Sequence, residues 1–566
     1  MSLRRTTLVR AGLAVFVAVA LASLCAGVGW GAAATTPAVL PGGVSWSSFK
    51  TVGVGNDVRV VVRARPGMVA AATAALQRGG GHVLRPLRIV NGFSALVPKR
   101  SLRAFAYAPA VQAVTPDIKL QATGATYDPV GDVGSPYNTT LATGAQAYWT
   151  AGYTGKGVDV ALIDSGVVPV DGLTVPGKVV NGPDLSEESQ TPAQYMDTYG
   201  HGTFMAGLIA GHANAAAAPY TGDTTDYLGM APDARIVSIK VADAGGSTDV
   251  SQVIAAIDWV VQHRTDNGLN IRVLNLSWGT NSSQSYAVDP LAFAAEQAWK
   301  AGIVVVTAAG NAGFTPGGSL NDPAYDPALL AVGAADTNGT TSTADDFPAS
   351  FSNNGTTRFP DLLAPGTHIV GLRDPGSYVD QTYGNTGAVT GNLFRGSGSS
   401  EATAIVSGAA ALLLQEYPTA TPDQIKKLLM QSATFLAGPK AQGRSELNLA
   451  AALTMKLPKD NTARLVGTGT GTLESSRGSL HVSQNGVALT GEYDIFGMPW
   501  DSAAMARLEA AGSSWSGGNW NGSSWSGSSW SGSSWSGSSW SGSSWSTTDF
   551  AGSSWSGSSW SSSSWS

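Results

Sequence analysis

The chain has 566 residues, 43% of them hydrophobic, so it is too long for one ordinary domain and rich enough to bury a sizeable core. Its one cysteine, Cys25, excludes a disulfide within the chain and a thiolate metal site. The net charge of −6 is uneven, with three arginines and no acid in residues 1–34, a sum of +8 over residues 35–117 and the remaining −17 in residues 118–566, which argues against nucleic acid as a partner of the acidic body.

Residues 1–34 join a basic start to an apolar run, Ala11–Val28, and end in the small residues Gly31–Ala34. This is the pattern of a secretory signal cleaved near Ala33 or Ala34, and it predicts a secreted protein. The competing reading is an uncleaved membrane anchor, because the run nearly reaches spanning length. Residues 35–120 read as a small basic domain. Strands are predicted at Val58–Arg65, His82–Arg88, Gly92–Val97 and Val111–Thr115, and helices at Val69–Arg78 and Lys99–Tyr107. That order is a split β-α-β, ferredoxin-like α+β plan. Its place just after a signal suggests a pro-segment, with a permanent accessory domain as the alternative.

Residues 121–456 alternate strand and helix. Val158–Ile163, Arg235–Val241, Val273–Ser277 and Ile303–Ala308 are apolar runs, the mark of strands covered on both faces. His201–Gly211, Val250–Gln262 and Leu291–Lys300 read as helices between them. A doubly wound parallel α/β sheet follows, with its ligand site at the carboxyl ends of the strands. Residues 457–510 read as a small β-rich extension or a linker. Strands are predicted there at Gly467–Leu473, Ser479–Val482 and Val487–Tyr493, with Gln484-Asn485-Gly486 as a hairpin turn.

Residues 511–566 repeat the unit SGSSW, with an aromatic residue at every fifth position from Trp515 to Trp565. Neither a helix nor a straight strand gathers a period of five on one side. Gly and Ser dominate, so the expectation is a disordered tail, with a stacked β-solenoid as the alternative. Exposed tryptophans stack on sugars, which makes cell-wall polysaccharide the partner expected for the tail.

The chemistry centres on Phe394–Leu414, a glycine-rich loop that turns directly into an apolar helix with Ser400 at the joint. A serine there faces unpaired backbone N–H groups and the positive end of the helix dipole. A serine hydroxyl needs a base, usually histidine, and an acid that holds the imidazole. Asp164, in VALIDSGV, ends a buried strand. His201, in YGHGTFMAGLIAG, opens an apolar helix, and its flanking Gly200 and Gly202 leave room around the ring for a substrate. Asn311, in VVVTAAGNAG, follows a strand and offers an amide donor to a developing oxyanion. Ser277, Trp278 and Gly279 form a strand end suited to pairing with an extended peptide.

Together these stretches resemble the subtilisin family of serine peptidases, the subtilases. Asp164-Ser165-Gly166, His201-Gly202-Thr203 and Gly398-Ser399-Ser400 resemble its aspartate, histidine and serine motifs, in order. Ala308–Asn311 resembles its oxyanion motif and Leu276–Gly279 its substrate-binding strand, over about residues 130–455. The resemblance implies a secreted serine endopeptidase that hydrolyses peptide bonds through an acyl-enzyme, with Asp164, His201, Ser400 and Asn311 as the catalytic set. It also implies a removable pro-domain that assists folding and blocks the site. Ser277, Trp278, Gly279, Ala309 and Gly310 are expected to border the pocket for the residue before the scissile bond; they are small apart from Trp278, so an apolar or broad preference is expected.

No cofactor is required for this chemistry. The family often binds structural calcium, but no contiguous calcium loop is present to assign it. The expected partners are protein or peptide substrates and the chain's own pro-domain. Three positions depart from the family pattern: Ser399 for threonine, Glu401 for methionine and Ala404 for proline. An inward-pointing Glu401 would raise the pKa of His201. The rival readings are an aspartic peptidase, which needs a second Asp-Ser-Gly; a lipase-type hydrolase, which needs G-x-S-x-G; and a catalytically weak or inactive subtilase-fold protein that binds cell surfaces through its Trp repeat.

Overall fold

The computed structural model describes residues 56–117 and 127–525, apart from the short loops 314–319, 356–357, 438–443 and 461–464, together with 39–40, 44–45, 49, 535–537 and 544–545. The signal-type leader and the end of the repeat lie outside them. The chain divides into two compact units at Gly124/Ala125.

In the smaller unit the order is β1 (Asp57–Ala64), α1 (Val69–Arg78), β2 (His82–Leu87), β3 (Gly92–Pro98), α2 (Lys99–Ala106) and β4 (Val111–Pro116). The sheet runs β2-β3-β1-β4 and every pairing is antiparallel. Alternation explains β1: Val58, Val60 and Val62 are buried while Arg59 and Arg63 face water. Leu76 of α1 and Leu102 and Phe105 of α2 complete this core. All six elements lie within a residue or two of the expected ends.

The larger unit is built on a sheet whose central strands are β5 (Asp159–Asp164), β6 (Val179–Asp184), β7 (Arg235–Lys240), β8 (Ile271–Leu276), β9 (Val304–Ala308), β10 (Leu330–Asp336) and β11 (Leu362–Pro365). They run in the order β6-β7-β5-β8-β9-β10-β11, all parallel. Strand order reverses between β5 and β8, which is where a doubly wound sheet opens its ligand crevice. The helices that position the site are α3 (His201–Ala210), α4 (Val250–His263), α5 (Pro290–Lys300) and α6 (Ser399–Glu416), the last entered from a strand, β12 (Leu393–Ser397). Their starts are written locally: Asp249 and Gln252 form a capping box on α4, and Asp289 caps α5 just before Pro290. Residues 399–414 of α6 are all buried, and the helix packs across β8, β9, β10 and β11.

Residues 465–525 belong to the larger unit and are less β-rich than expected. Gly467–Leu473 forms no strand; the backbone N–H groups of Val466 and Gly467 donate to Glu296 instead, and Thr472 caps a helix, α7 (Leu473–Arg477). The expected hairpin is present as β13 (Val482–Gln484) and β14 (Val487–Ala488), around Asn485 and Gly486 at positive φ. A helix the sequence reading missed, α8 (Ser502–Ala510), precedes the repeat.

Within residues 511–525 the expected disordered tail is corrected. Three short antiparallel strands, β15 (Trp515–Ser516), β16 (Asn519–Trp520) and β17 (Ser523–Ser524), are joined by turns at Gly517-Gly518 and Asn521-Gly522, with positive φ at both turn residues. The chain reverses once per repeat, so a period of five brings the indoles together. Ring centroids of Trp520 and Trp525 are 6.0 Å apart and those of Trp500 and Trp520 are 5.5 Å apart. Further along, Trp535–Gly537 pairs with β13, and Ser544–Trp545 pairs with Gly396–Ser397 in the strand leading to α6.

Candidate active site

Asp164 is the last residue of β5 and His201 the first of α3; both are buried. The imidazole Nδ1 lies 2.8 Å from Asp164 Oδ1 and 3.0 Å from Oδ2. Asp164 Oδ1 also accepts the Ser165 N–H at 2.8 Å. Burial alone would lower the imidazolium pKa, but the Asp164 charge and hydrogen bond, then Glu401 and Asp197, outweigh it and hold His201 above its ordinary value. Glu401 is fully buried, so the inward orientation that makes it count is the one adopted.

Ser400 is the second residue of α6, whose N-cap is Gly398. It is therefore not the cap of its helix, and its Oγ donates to the Ser277 carbonyl oxygen at 3.4 Å. Asn311 lies just past β9. Its side-chain oxygen accepts the Ser399 N–H at 2.8 Å, which leaves the –NH2 group as its donor end. Gly310 N–H donates to Ser399 Oγ at 3.2 Å, so the turn carrying Asn311 is fastened to the start of α6 by both polar groups of Ser399. A methyl group on Gly310 would come within 2.6 Å of Asn353, and its φ of +108° is one that glycine adopts without strain.

The other expected site residues are closely packed. Trp278 is 1% exposed; its indole N–H donates to Ile163 O and its ring lies 6.1 Å from the His201 ring. The side chain packs against the end of β5 and beside the imidazole. Ala309 is buried in a small core with Leu320, Ala324 and Ala331. Gly279 is closely packed, since a Cβ would meet Asp322 O at 2.8 Å. The space beside Gly202, expected to receive substrate, is filled by the chain: a Cβ there would lie 2.1 Å from Gly166 O.

Two residues passed over in the sequence hold the histidine in place. Asp197 accepts the N–H groups of Gly200 at 2.6 Å and Thr203 at 2.7 Å, pinning the first turn of α3. It also accepts the Ser165 hydroxyl at 2.8 Å, and that hydroxyl in turn accepts the Gly202 N–H at 3.0 Å. The available signal was an acid four residues ahead of His201, just before an apolar helix. Among the described residues no group of three or more His, Cys, Asp or Glu is placed to hold a metal ion, and no helix is long and apolar enough to cross a membrane.

The subtilase (peptidase S8) family model matches residues 155–469. Serine protease AprX of Bacillus subtilis (strain 168) is 38% identical over 283 residues, which cover 49% of this chain and 61% of AprX. Subtilisin amylosacchariticus of Bacillus subtilis subsp. amylosacchariticus is 31% identical over 379 residues, 66% of this chain and 83% of that protein. A solved cold adapted subtilisin-like serine proteinase is 31% identical, covering 52% of this chain and 89% of its own, with a TM-score of 0.39. With the family model spanning more than half of its length, the chain belongs to the subtilases, a family of serine-type endopeptidases.

Proposed function

We propose that the chain is a secreted endopeptidase working through Ser400, His201 and Asp164, matured by removal of residues 35 to about 120. The supporting observation is the buried contact of His201 Nδ1 with both oxygens of Asp164, at the sheet's switch point, on a helix, α3, that packs against α6. Neutral His201 takes the Ser400 proton as Oγ attacks the scissile carbonyl. Asp164 fixes the tautomer with Nδ1–H toward itself and stabilises the imidazolium. The Asn311 –NH2 and the Ser400 backbone N–H hold the oxyanion, helped by the helix N-terminus. His201 then protonates the leaving amine, and water repeats the sequence on the acyl-enzyme. The basic charge of residues 35–117 against the acidic remainder supports a pro-segment that associates with the enzyme it precedes.

Ser400→Ala should abolish casein cleavage, fluorophosphonate labelling and self-removal of the pro-segment, leaving the full-length chain in the medium. Full activity in that variant would refute the assignment. Asp164 is committed to an imidazole, which opposes the aspartic-peptidase reading; inhibition by pepstatin would restore it.

A further inference from the structure

The ordered start of the SGSSW repeat closes a cavity of about 650 Å³ against α4 and the loop that follows β6. None of the catalytic set lines it. Its walls include the indoles of Trp259, Trp515 and Trp525 and the amides of Gln190, Gln194 and Gln262. Trp515 is held by its N–H, which donates to Ala255 O at 3.0 Å, and Trp259 packs on His263 with ring centroids 4.9 Å apart. The hydroxyl of Ser514 accepts the Gln262 amide at 2.7 Å, tying the repeat to the last turn of α4. The indoles are therefore pre-positioned and the walls largely formed.

The lining selects a ligand chemistry. Among the described residues no Lys or Arg lines it, and the lining His263 already faces Asp266, with Nδ1 2.9 Å from Oδ2, so an anionic polymer finds no counter-charge. The one carboxylate among the described lining residues, Asp184, is spent on the N–H groups of Ser186 and Tyr195 and on the Ser186 hydroxyl, so a cationic ligand is not selected either. What remains is flat aromatic surface beside side-chain amides, each of which donates and accepts. A neutral sugar is complementary on both counts: its C–H face lies on an indole and its hydroxyls both donate and accept. The volume falls in the range of about 300–1,000 Å³ usual for small-molecule sites.

We propose that this cavity binds a neutral oligosaccharide, so that the repeat contributes a built saccharide site on the folded body, apart from the peptidase centre. The site is independent of the peptidase reading.

The test uses the full chain with Ser400→Ala to prevent self-digestion. It is titrated by calorimetry with tetramers of β-1,4-glucose, β-1,3-glucose and N-acetylglucosamine, and with a peptide of two SGSSW repeats. At least one glycan should bind, and Trp259→Ala should weaken it about tenfold or more. Gln190→Ala with Gln194→Ala, two exposed positions where misfolding is not expected, should weaken the same glycan severalfold. In the chain that retains Ser400, the glutamine pair should leave kcat/KM on a short chromogenic peptide unchanged, which also reports an intact fold. The proposal is overturned if no glycan binds at millimolar concentration, if only the repeat peptide binds, or if glycan affinity is indifferent to both sets of substitutions.

Discussion

Glu401 sits beside the proposed nucleophile with none of its surface exposed, in a helical turn whose dipole favours negative charge. Its charge is one of the influences that hold the His201 pKa up. Only neutral imidazole can accept the Ser400 proton, so the acid limb of kcat/KM follows that pKa. Removing one negative neighbour weakens the preference for imidazolium, and Glu401→Gln should move the acid limb to lower pH with the alkaline side unchanged. A pH profile on a neutral peptide substrate reads this directly; an unmoved limb would mean that Glu401 carries its proton in the working enzyme. The main groups of this candidate site were legible because Asp164 and Asn311 stand in short motifs where an apolar run ends, and His201 and Ser400 in short motifs where one begins. Asp197, Ser165 and Ser399 were not, because their roles are hydrogen bonds to backbone from elsewhere in the chain, such as Gly310 N–H to Ser399 Oγ, and no local pattern encodes the partner.

Among the elements, the same contrast separates sheet from extension. The apolar strands and capped helices announce themselves by composition and start signals, as the Asp249–Gln252 box does on α4. Residues 465–525 are ordered mainly by distant polar anchors. Arg477, fully buried, makes a two-point contact with Asp249, Nε to Oδ2 at 2.7 Å and Nη2 to Oδ1 at 3.2 Å, and donates to Gly491 O and Tyr493 O. The extension is thereby fastened to the cap of α4, and the Arg477 charge helps hold the Asp249 pKa low against the effect of burial. Arg477→Met would leave a buried carboxylate without its counter-charge, a loss on the order of 3–5 kcal/mol. Denaturant unfolding of the Ser400→Ala chain should show that drop, and limited proteolysis should now cut between residues 465 and 500. Asp249→Asn combined with Arg477→Met should cost clearly less than the sum of the two single changes, because the double variant buries no lone charge. Additive losses would mean that the pair contributes nothing as a pair. The meander of residues 515–525 was within reach of the sequence, since Asn521-Gly522 and Gly517-Gly518 are the dipeptides that such turns require; the low-complexity composition hid them.

In the larger unit, buried carboxyl groups lie within electrostatic reach of one another in pairs: Asp258 with Glu509, Asp326 with Glu296, Asp346 with Glu446, Asp322 with Asp289, and Asp374 with Asp197. Burial is the first cause that raises Asp258 and Asp326 to about 7, Asp346 to about 6 and Asp374 to about 8. For the last three, a neighbouring carboxylate adds to it. An acid whose folded pKa lies above its unfolded value binds its proton more tightly in the native state. Each such group therefore supports the fold fully in acid and withdraws that support as pH climbs from about 4 through its folded pKa. His201, raised as well, acts in the same direction. His368, lowered by burial and Arg395, opposes it as a single group, and Lys178, lowered to about 8, matters only above that pH. The sum predicts a protein more stable near pH 5 than near pH 8, by a few kcal/mol and about 5 °C or more in Tm. Scanning calorimetry of the Ser400→Ala chain at both pH values measures the difference. Asp258→Asn keeps an acceptor for the Trp520 indole, which donates at 2.7 Å, while removing the titration. It should flatten part of the slope by stabilising the pH 8 state more than the pH 5 state. A Tm that rose between pH 5 and 8 would overturn this reading, because the folded state would then bind fewer protons than the unfolded chain over that range.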